Sequence, residues 1–175
     1  VTKAMVAALL GDTPSVLKDV PFISDVEIVS RLLQLHGAKI THSENGEMTI
    51  DPSNVKSARM VDIDAHAGSS RIPILFCGPL LHQLGEAFIP GLGGCQIGDR
   101  PINYHFDVLR NFGAVIEDLP NGIRISAPEG LHGAKIALPY PSVGATEQVL
   151  LAATRAKGKT ELSGAAIEPE IMDLI

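Results

Sequence analysis

The chain has 175 residues, 45% hydrophobic and 19% charged, a composition that supports one good core or two small ones and excludes a disordered chain. Fourteen Lys and Arg against 20 Asp and Glu leave a net charge of -6, and only seven aromatics are present, which excludes a nucleic-acid surface and means that an anionic ligand needs a local basic pocket. No apolar run reaches the roughly 18 residues of a membrane helix, the start Val1-Thr-Lys-Ala-Met lacks a signal-peptide pattern, and two cysteines do not suggest a disulfide scaffold, so a soluble, cytoplasmic protein is expected.

Taken in order, Met5 to Leu10 is an apolar helical run stopped at Gly11, with no capping residue ahead of it. At the other end Glu168 to Ile175 reads as a helix that has only begun, so the chain is expected to be a piece of something longer. Ser15 to Val20 is a short strand candidate. Pro21 to Ile40 holds the best-signalled helix, with Ser24 and Glu27 as a capping box, Ile23 and Ile28 as a hydrophobic staple, and Val26, Val29, Leu32 and Leu33 as its apolar stripe up to Gly37. Lys39 to Ile50 predicts a hairpin turning at Asn45-Gly46.

The pattern then repeats. Gly37 and Gly113, Asn45-Gly46 and Asn121-Gly122, and Pro52 and Pro128 are each 76 residues apart. Leu10-Gly11, Leu84-Gly85 and Lys157-Gly158 each close an apolar run and open a strand candidate, with Lys135 to Leu138 as an added strand before the third copy. The copies span about 1–57, 58–132 and an incomplete 133–175. Units of this length are too long for a solenoid and predict α/β subdomains around a pseudo-threefold axis, helices inside and sheets outside.

The stretch Gly91-Leu-Gly-Gly-Cys-Gln-Ile-Gly-Asp-Arg-Pro-Ile-Asn-Tyr104 most needs a functional explanation. Its glycines make Cys95 a candidate reactive thiol, open to a role as general acid or as nucleophile, and Arg100 before Pro101 sets a fixed charge near a helix start. Cys77, inside Ile74-Leu-Phe-Cys-Gly-Pro-Leu-Leu81, reads as core. Arg71 precedes Ile72-Pro73 at another helix start, and Ser142-Val-Gly-Ala-Thr146 leads into a third, where Ser142 is either a plain N-cap or part of a ligand cradle. Together these starts and arginines suit one anionic ligand. The segment 91–98 is not a P-loop, no dinucleotide fingerprint occurs, and neither the cysteines nor the histidines have zinc spacing; Asp62-Ile-Asp-Ala-His66 could be a metal or acid–base cluster but reads better as a solvated turn.

Leu92-Gly-Gly-Cys-Gln-Ile-Gly-Asp-Arg-Pro101, Ser142-Val-Gly-Ala-Thr146 and Glu168-Pro-Glu-Ile-Met-Asp173, in this order and spacing, resemble the UDP-N-acetylglucosamine 1-carboxyvinyltransferases, the enolpyruvyl transferases of peptidoglycan synthesis. The resemblance runs along essentially the whole chain, and the glycine–cysteine loop sets it apart from the sister 5-enolpyruvylshikimate 3-phosphate synthases. It implies an inside-out α/β barrel of repeated β-α-β-α-β-β units, one incomplete domain of a two-domain enzyme with its active site between the domains. It also implies transfer of the enolpyruvyl group of phosphoenolpyruvate to the 3′-hydroxyl of the sugar nucleotide, with release of phosphate and without metal or cofactor. Cys95 is then the proton donor that fosfomycin alkylates, and Arg100 contacts both substrates. Arg71, the segment Arg100, Pro101, Ile102, Asn103 and Tyr104, and the segment Tyr140, Pro141, Ser142 and Val143 hold the sugar nucleotide.

The chain departs from the family at four positions: Tyr140 stands where lysine is common, Pro141 for valine, Asn103 for aspartate near the uracil, and Ile167 for arginine. The family's Gly-Ala-Lys-Asn motif falls before Val1, and Lys3 is not its lysine. The implied enzyme therefore needs its second domain, and 175 residues alone are expected to be inactive. Two alternatives remain: a transferase with another acceptor, and a silent paralogue that binds sugar nucleotide.

Overall fold

The computed structural model describes residues 1–43, 45–56, 72–90 and 103–175, and the chain is an α/β protein with its helices gathered inside. The first unit runs from helix α1 (Thr2–Ala7), continued by a 3₁₀ turn at Ala8–Leu10, into strand β1 (Ser15–Leu17), helix α2 (Ser24–His36) and the hairpin β2 (Lys39–His42) and β3 (Met48–Asp51). The second repeats it: a 3₁₀ segment Ile72–Phe76 and helix α3 (Cys77–Leu84), strand β4 (Glu86–Pro90), helix α4 (Asn103–Asn111), then β5 (Val115–Leu119) and β6 (Gly122–Ser126). Last come β7 (Lys135–Ala137), helix α5 (Val143–Ala153), β8 (Glu161–Ser163) and helix α6 (Pro169–Leu174).

The two complete sheets have one topology, with strand orders β1-β3-β2 and β4-β6-β5 and antiparallel neighbours throughout. Strands β7 and β8 instead pair in parallel across the α5 crossover. The 76-residue offset has a physical basis in the helix ends: Gly37 and Gly113 sit at φ 106° and 94°, left-handed positions that cost a side chain but not glycine. At the hairpin tips the copies diverge. His42 pairs Met48 across a five-residue loop around Asn45-Gly46, whereas Leu119 pairs Gly122, so Pro120 and Asn121 alone make the second turn.

Alternation orients each sheet. Met48 and Ile50 of β3 and Ala87 and Ile89 of β4 are buried, while Arg124 on the outer face of β6 bonds Glu86 at 3.1 Å and lies 3.7 Å from Glu117. Exposed pairs of this kind are worth at most about 1 kcal/mol and serve register more than stability.

Helix α5 is the inner post, packed on α3, α4, α6 and the Ile72–Phe76 turn. Its five residues from Ala145 to Val149, with Leu151 and Ala152, are buried. Gly144, Thr146 and Val149 each cost roughly 0.5–1 kcal/mol against alanine in a helix, yet full burial of Val149 and Leu151 contributes about 1.5–3 kcal/mol apiece, so packing decides. Gln148, fully buried, donates to the Ile74 carbonyl (3.0 Å) and accepts from the Gly78 N–H (3.2 Å), tying α5 to the second unit. Gln83 Nε2 donates to the Leu9 carbonyl (2.6 Å) and Arg155 to the Leu10 carbonyl (2.9 Å), so α3 and the turn after α5 meet at the 3₁₀ turn that continues α1.

Three expectations are corrected. The α2 capping box does not form: Ile23 is the N-cap, in extended conformation, and Ser24 lies within the helix, one position too late to cap it. Glu27 pairs with Arg31 instead, one turn on. The staple fails with it, since Ile23 is itself the cap and is 48% exposed. In the third unit Gly158 does not close the helix, because α5 ends at Ala153 and four further residues separate the two.

Candidate functional site

The first turn of α5 is built by two hydroxyls. Ser142, extended at the N-cap, accepts from the Ala145 N–H at 3.3 Å, so the plain capping role is real. Thr146 Oγ1 donates to the Ser142 carbonyl (2.8 Å) and accepts from the Ala166 N–H (3.0 Å), which joins this turn to the stretch leading into α6. The N–H groups of Val143 and Gly144 precede the first intrahelical bond, and no acceptor among the described residues reaches them.

Beside this turn lies an open cavity of about 520 Å³, lined from α1, the Ile72–Phe76 turn, α4 and α5. It brings together Tyr104, Tyr140, Pro141, Ser142 and Val143. Tyr104 and Tyr140 meet edge to face, centroids 5.5 Å apart at 66°. Asn103 begins α4, is exposed and does not line the cavity. Arg71, Cys95, Arg100, Pro101 and Ile102 lie outside the described residues, as do Asp62 and His66; Ile72, next to Arg71, is on the wall.

Sequence reasoning missed three of the wall's polar residues: Lys3, His105 and Glu147. A β-carbon on Gly144 would stand 3.2 Å from the His105 ring, so a side chain there would make the ring give way by a few tenths of an ångström. Glu147 is 3% exposed on α5 and faces Lys3 of α1 at 3.3 Å. The contact is an ion pair, and Glu147 Oε1 has no partner besides the Lys3 ammonium among the described residues. Burial pushes the Glu147 carboxyl above the usual carboxylate range; the Lys3 ammonium pulls it back, and Glu170 adds to the rise. An acid two residues before the apolar run Val149 to Ala153 was the available signal for it.

Cys77 is buried as expected, and the loss of water drives its thiol up to about 12. Among the described residues no group of His, Cys, Asp and Glu could hold a metal ion, and no helix is long and apolar enough to cross a membrane.

The sequence matches the family described as EPSP synthase (3-phosphoshikimate 1-carboxyvinyltransferase) over residues 2–175. The chain belongs to this enolpyruvyl transferase family. Within the family it is 42% identical over 170 residues to the UDP-N-acetylglucosamine 1-carboxyvinyltransferase of Finegoldia magna, covering 96% of this chain and 39% of that protein. The enzyme of the same name from Chlamydia abortus is also 42% identical, over 176 residues, 99% of this chain and 39% of its own length. The enolpyruvyl transferase NikO from Streptomyces tendae superposes with a TM-score of 0.82 at 18% identity, over 99% of this chain and 40% of its own, which establishes the fold. EPSP synthase from Acinetobacter baumannii does so with a TM-score of 0.71, at 18% identity, over 98% and 39%. The chain thus spans about two fifths of the length of these enolpyruvyl transferases.

Proposed function

We propose that the protein carrying this chain transfers the enolpyruvyl group of phosphoenolpyruvate to the 3′-hydroxyl of UDP-N-acetylglucosamine, in the cytoplasm, as an early step of cell-wall synthesis that growth and division require. The observation that carries this reading is the cavity in which Tyr104, Tyr140, Pro141, Ser142 and Val143, all assigned to the sugar nucleotide by resemblance, lie together at the N-terminus of α5. The 42% identity to two relatives that bear the enzyme's name supports it.

In this reading the acceptor oxygen bonds to C2 of phosphoenolpyruvate as Cys95 gives a proton to the C3 methylene. Loss of a proton from the resulting methyl group then expels phosphate and restores the double bond. Arg71 and Arg100 hold the anionic groups of the substrates, and the N–H groups that open α5, without an acceptor among the described residues, add partial positive charge. A second domain, in the same polypeptide, closes the site.

Phosphate release by the full-length protein from both substrates, with and without fosfomycin and beside Cys95→Ala, tests the reading. Release that fosfomycin blocks and Cys95→Ala lacks is the expected result, while the 175 residues alone release none. Activity indifferent to fosfomycin would remove the thiol from the account. Binding of the sugar nucleotide without phosphate release would make the protein a silent paralogue. The exposed ring of Tyr140, at a position where the resembling family commonly has lysine, favours a different acceptor as the second reading, and competition between acceptors decides it.

A further inference from the structure

We infer that Lys3 is a specificity-determining residue of this cavity, its ammonium presented to the diphosphate of a nucleotide acceptor and held in place by the carboxylate of Glu147. The inference rests on the sugar-nucleotide reading above and names the cation that reading leaves unassigned among the described residues. Of the described residues on the cavity wall, Lys3 alone carries an ammonium or guanidinium. It comes from α1, one wall of the cavity, and stands across from α5, where the Val143 and Gly144 N–H groups have no acceptor among the described residues. A diphosphate in the cavity would thus meet a full charge on one side and two backbone donors on the other.

The Lys3–Glu147 pair has the wrong form for a structural brace. Its Lys3 end is 35% exposed and its Glu147 end 4%, with a single 3.3 Å contact between them. A carboxylate buried this deeply stabilises a fold little through such a pair, because desolvation offsets the attraction. What the arrangement does is fix a long, flexible cation at one point of the wall while leaving its N–H donors free for a second anion. Ligand phosphate and Glu147 then compete for the ammonium. From this follows a signature that a brace would not give: neutralising Glu147 strengthens binding, whereas removing Lys3 weakens it.

The test is titration of the full-length protein with UDP-N-acetylglucosamine and, as the uncharged probe, uridine. Lys3→Met is expected to weaken the sugar nucleotide by roughly tenfold and flatten its salt dependence while leaving uridine unchanged, and Lys3→Arg to recover most of the loss. Glu147→Gln is expected to bind the sugar nucleotide at least as tightly as the unaltered protein. Because Lys3→Met leaves a buried acid without its partner, the double variant Lys3→Met/Glu147→Gln is the control: it keeps the unfolding temperature and still shows the tenfold loss. Sugar-nucleotide binding that Lys3→Met leaves intact overturns the inference and spares the proposed function. Equal weakening of both probes by Lys3→Met and Glu147→Gln makes the pair a brace and overturns it as well. Failure of the unaltered protein to bind UDP-N-acetylglucosamine overturns the proposed function and this inference with it.

Discussion

Tyr104, in the first turn of α4, and Tyr140, just before α5, meet edge to face at 5.5 Å and close one side of the cavity with aromatic surface. A pair of this geometry contributes about 0.5–1.5 kcal/mol beyond its buried area. Tyr140→Phe, which keeps the ring, should bind UDP-N-acetylglucosamine as the unaltered protein does, and Tyr140→Ala should bind several-fold more weakly. Calorimetric titration separates the two, and equal losses would assign the effect to the hydroxyl.

Gln148 carries a heavier structural role than any charged residue on the surface. Its amide satisfies one carbonyl and one N–H inside the helix cluster, so Gln148→Leu strips partners from both Ile74 and Gly78. The expected cost is roughly 2–4 kcal/mol in urea unfolding, against less than about 1 kcal/mol for Arg124→Ala on the outer sheet. Comparable losses at the two positions would contradict the view that α5 is the inner post.

The two cysteines should differ sharply in reactivity. Burial holds the Cys77 thiol near 12, so at neutral pH it is neither accessible nor ionised. Iodoacetamide should therefore label the native chain once, at Cys95, and the Cys95→Ala variant not at all. Two equivalents on the folded protein would show that the helix cluster opens on the labelling timescale.

His82 gives a dependence of stability on pH. It bonds the Ala152 carbonyl at 2.7 Å, and its pKa is depressed from 6.5 chiefly by burial, with Arg155 adding to the depression and the carbonyl opposing it. The folded state then binds a proton less readily than the unfolded chain. The stability this neutral imidazole allows is present above about 6.5 and declines as pH falls below it. His82→Gln should flatten that decline in thermal melts between pH 7 and 5, and an unaltered slope would exclude His82 as its source.

What was legible in the sequence was local. A left-handed glycine at a helix end, a strand alternating inside and out, and a turn at Asn121 announce themselves within a few residues, and their recurrence at a spacing of 76 exposed the repeated unit. The helix start at Ser24 was misread because a capping box differs from a serine in the first turn only by the conformation of one preceding residue. The cavity was legible only in halves. Ser142 and Tyr104 belonged to recognisable stretches, whereas Lys3 and Glu147 come from opposite ends of the chain and meet only once α1 and α5 have packed. Lys3 looked like one more residue of an apolar helix, and nothing near it in sequence pointed to a cavity.

The single hydroxyl of Thr146 has a mechanical consequence. Because Oγ1 holds both the Ser142 carbonyl and the Ala166 N–H, the wall of the cavity and the approach to α6 are latched together at one atom. The stretch leading to Glu168 is thereby tied to the turn that carries the N–H groups of Val143 and Gly144. Serine at this position would preserve the latch, while valine, of nearly the same shape, would remove both of these side-chain hydrogen bonds.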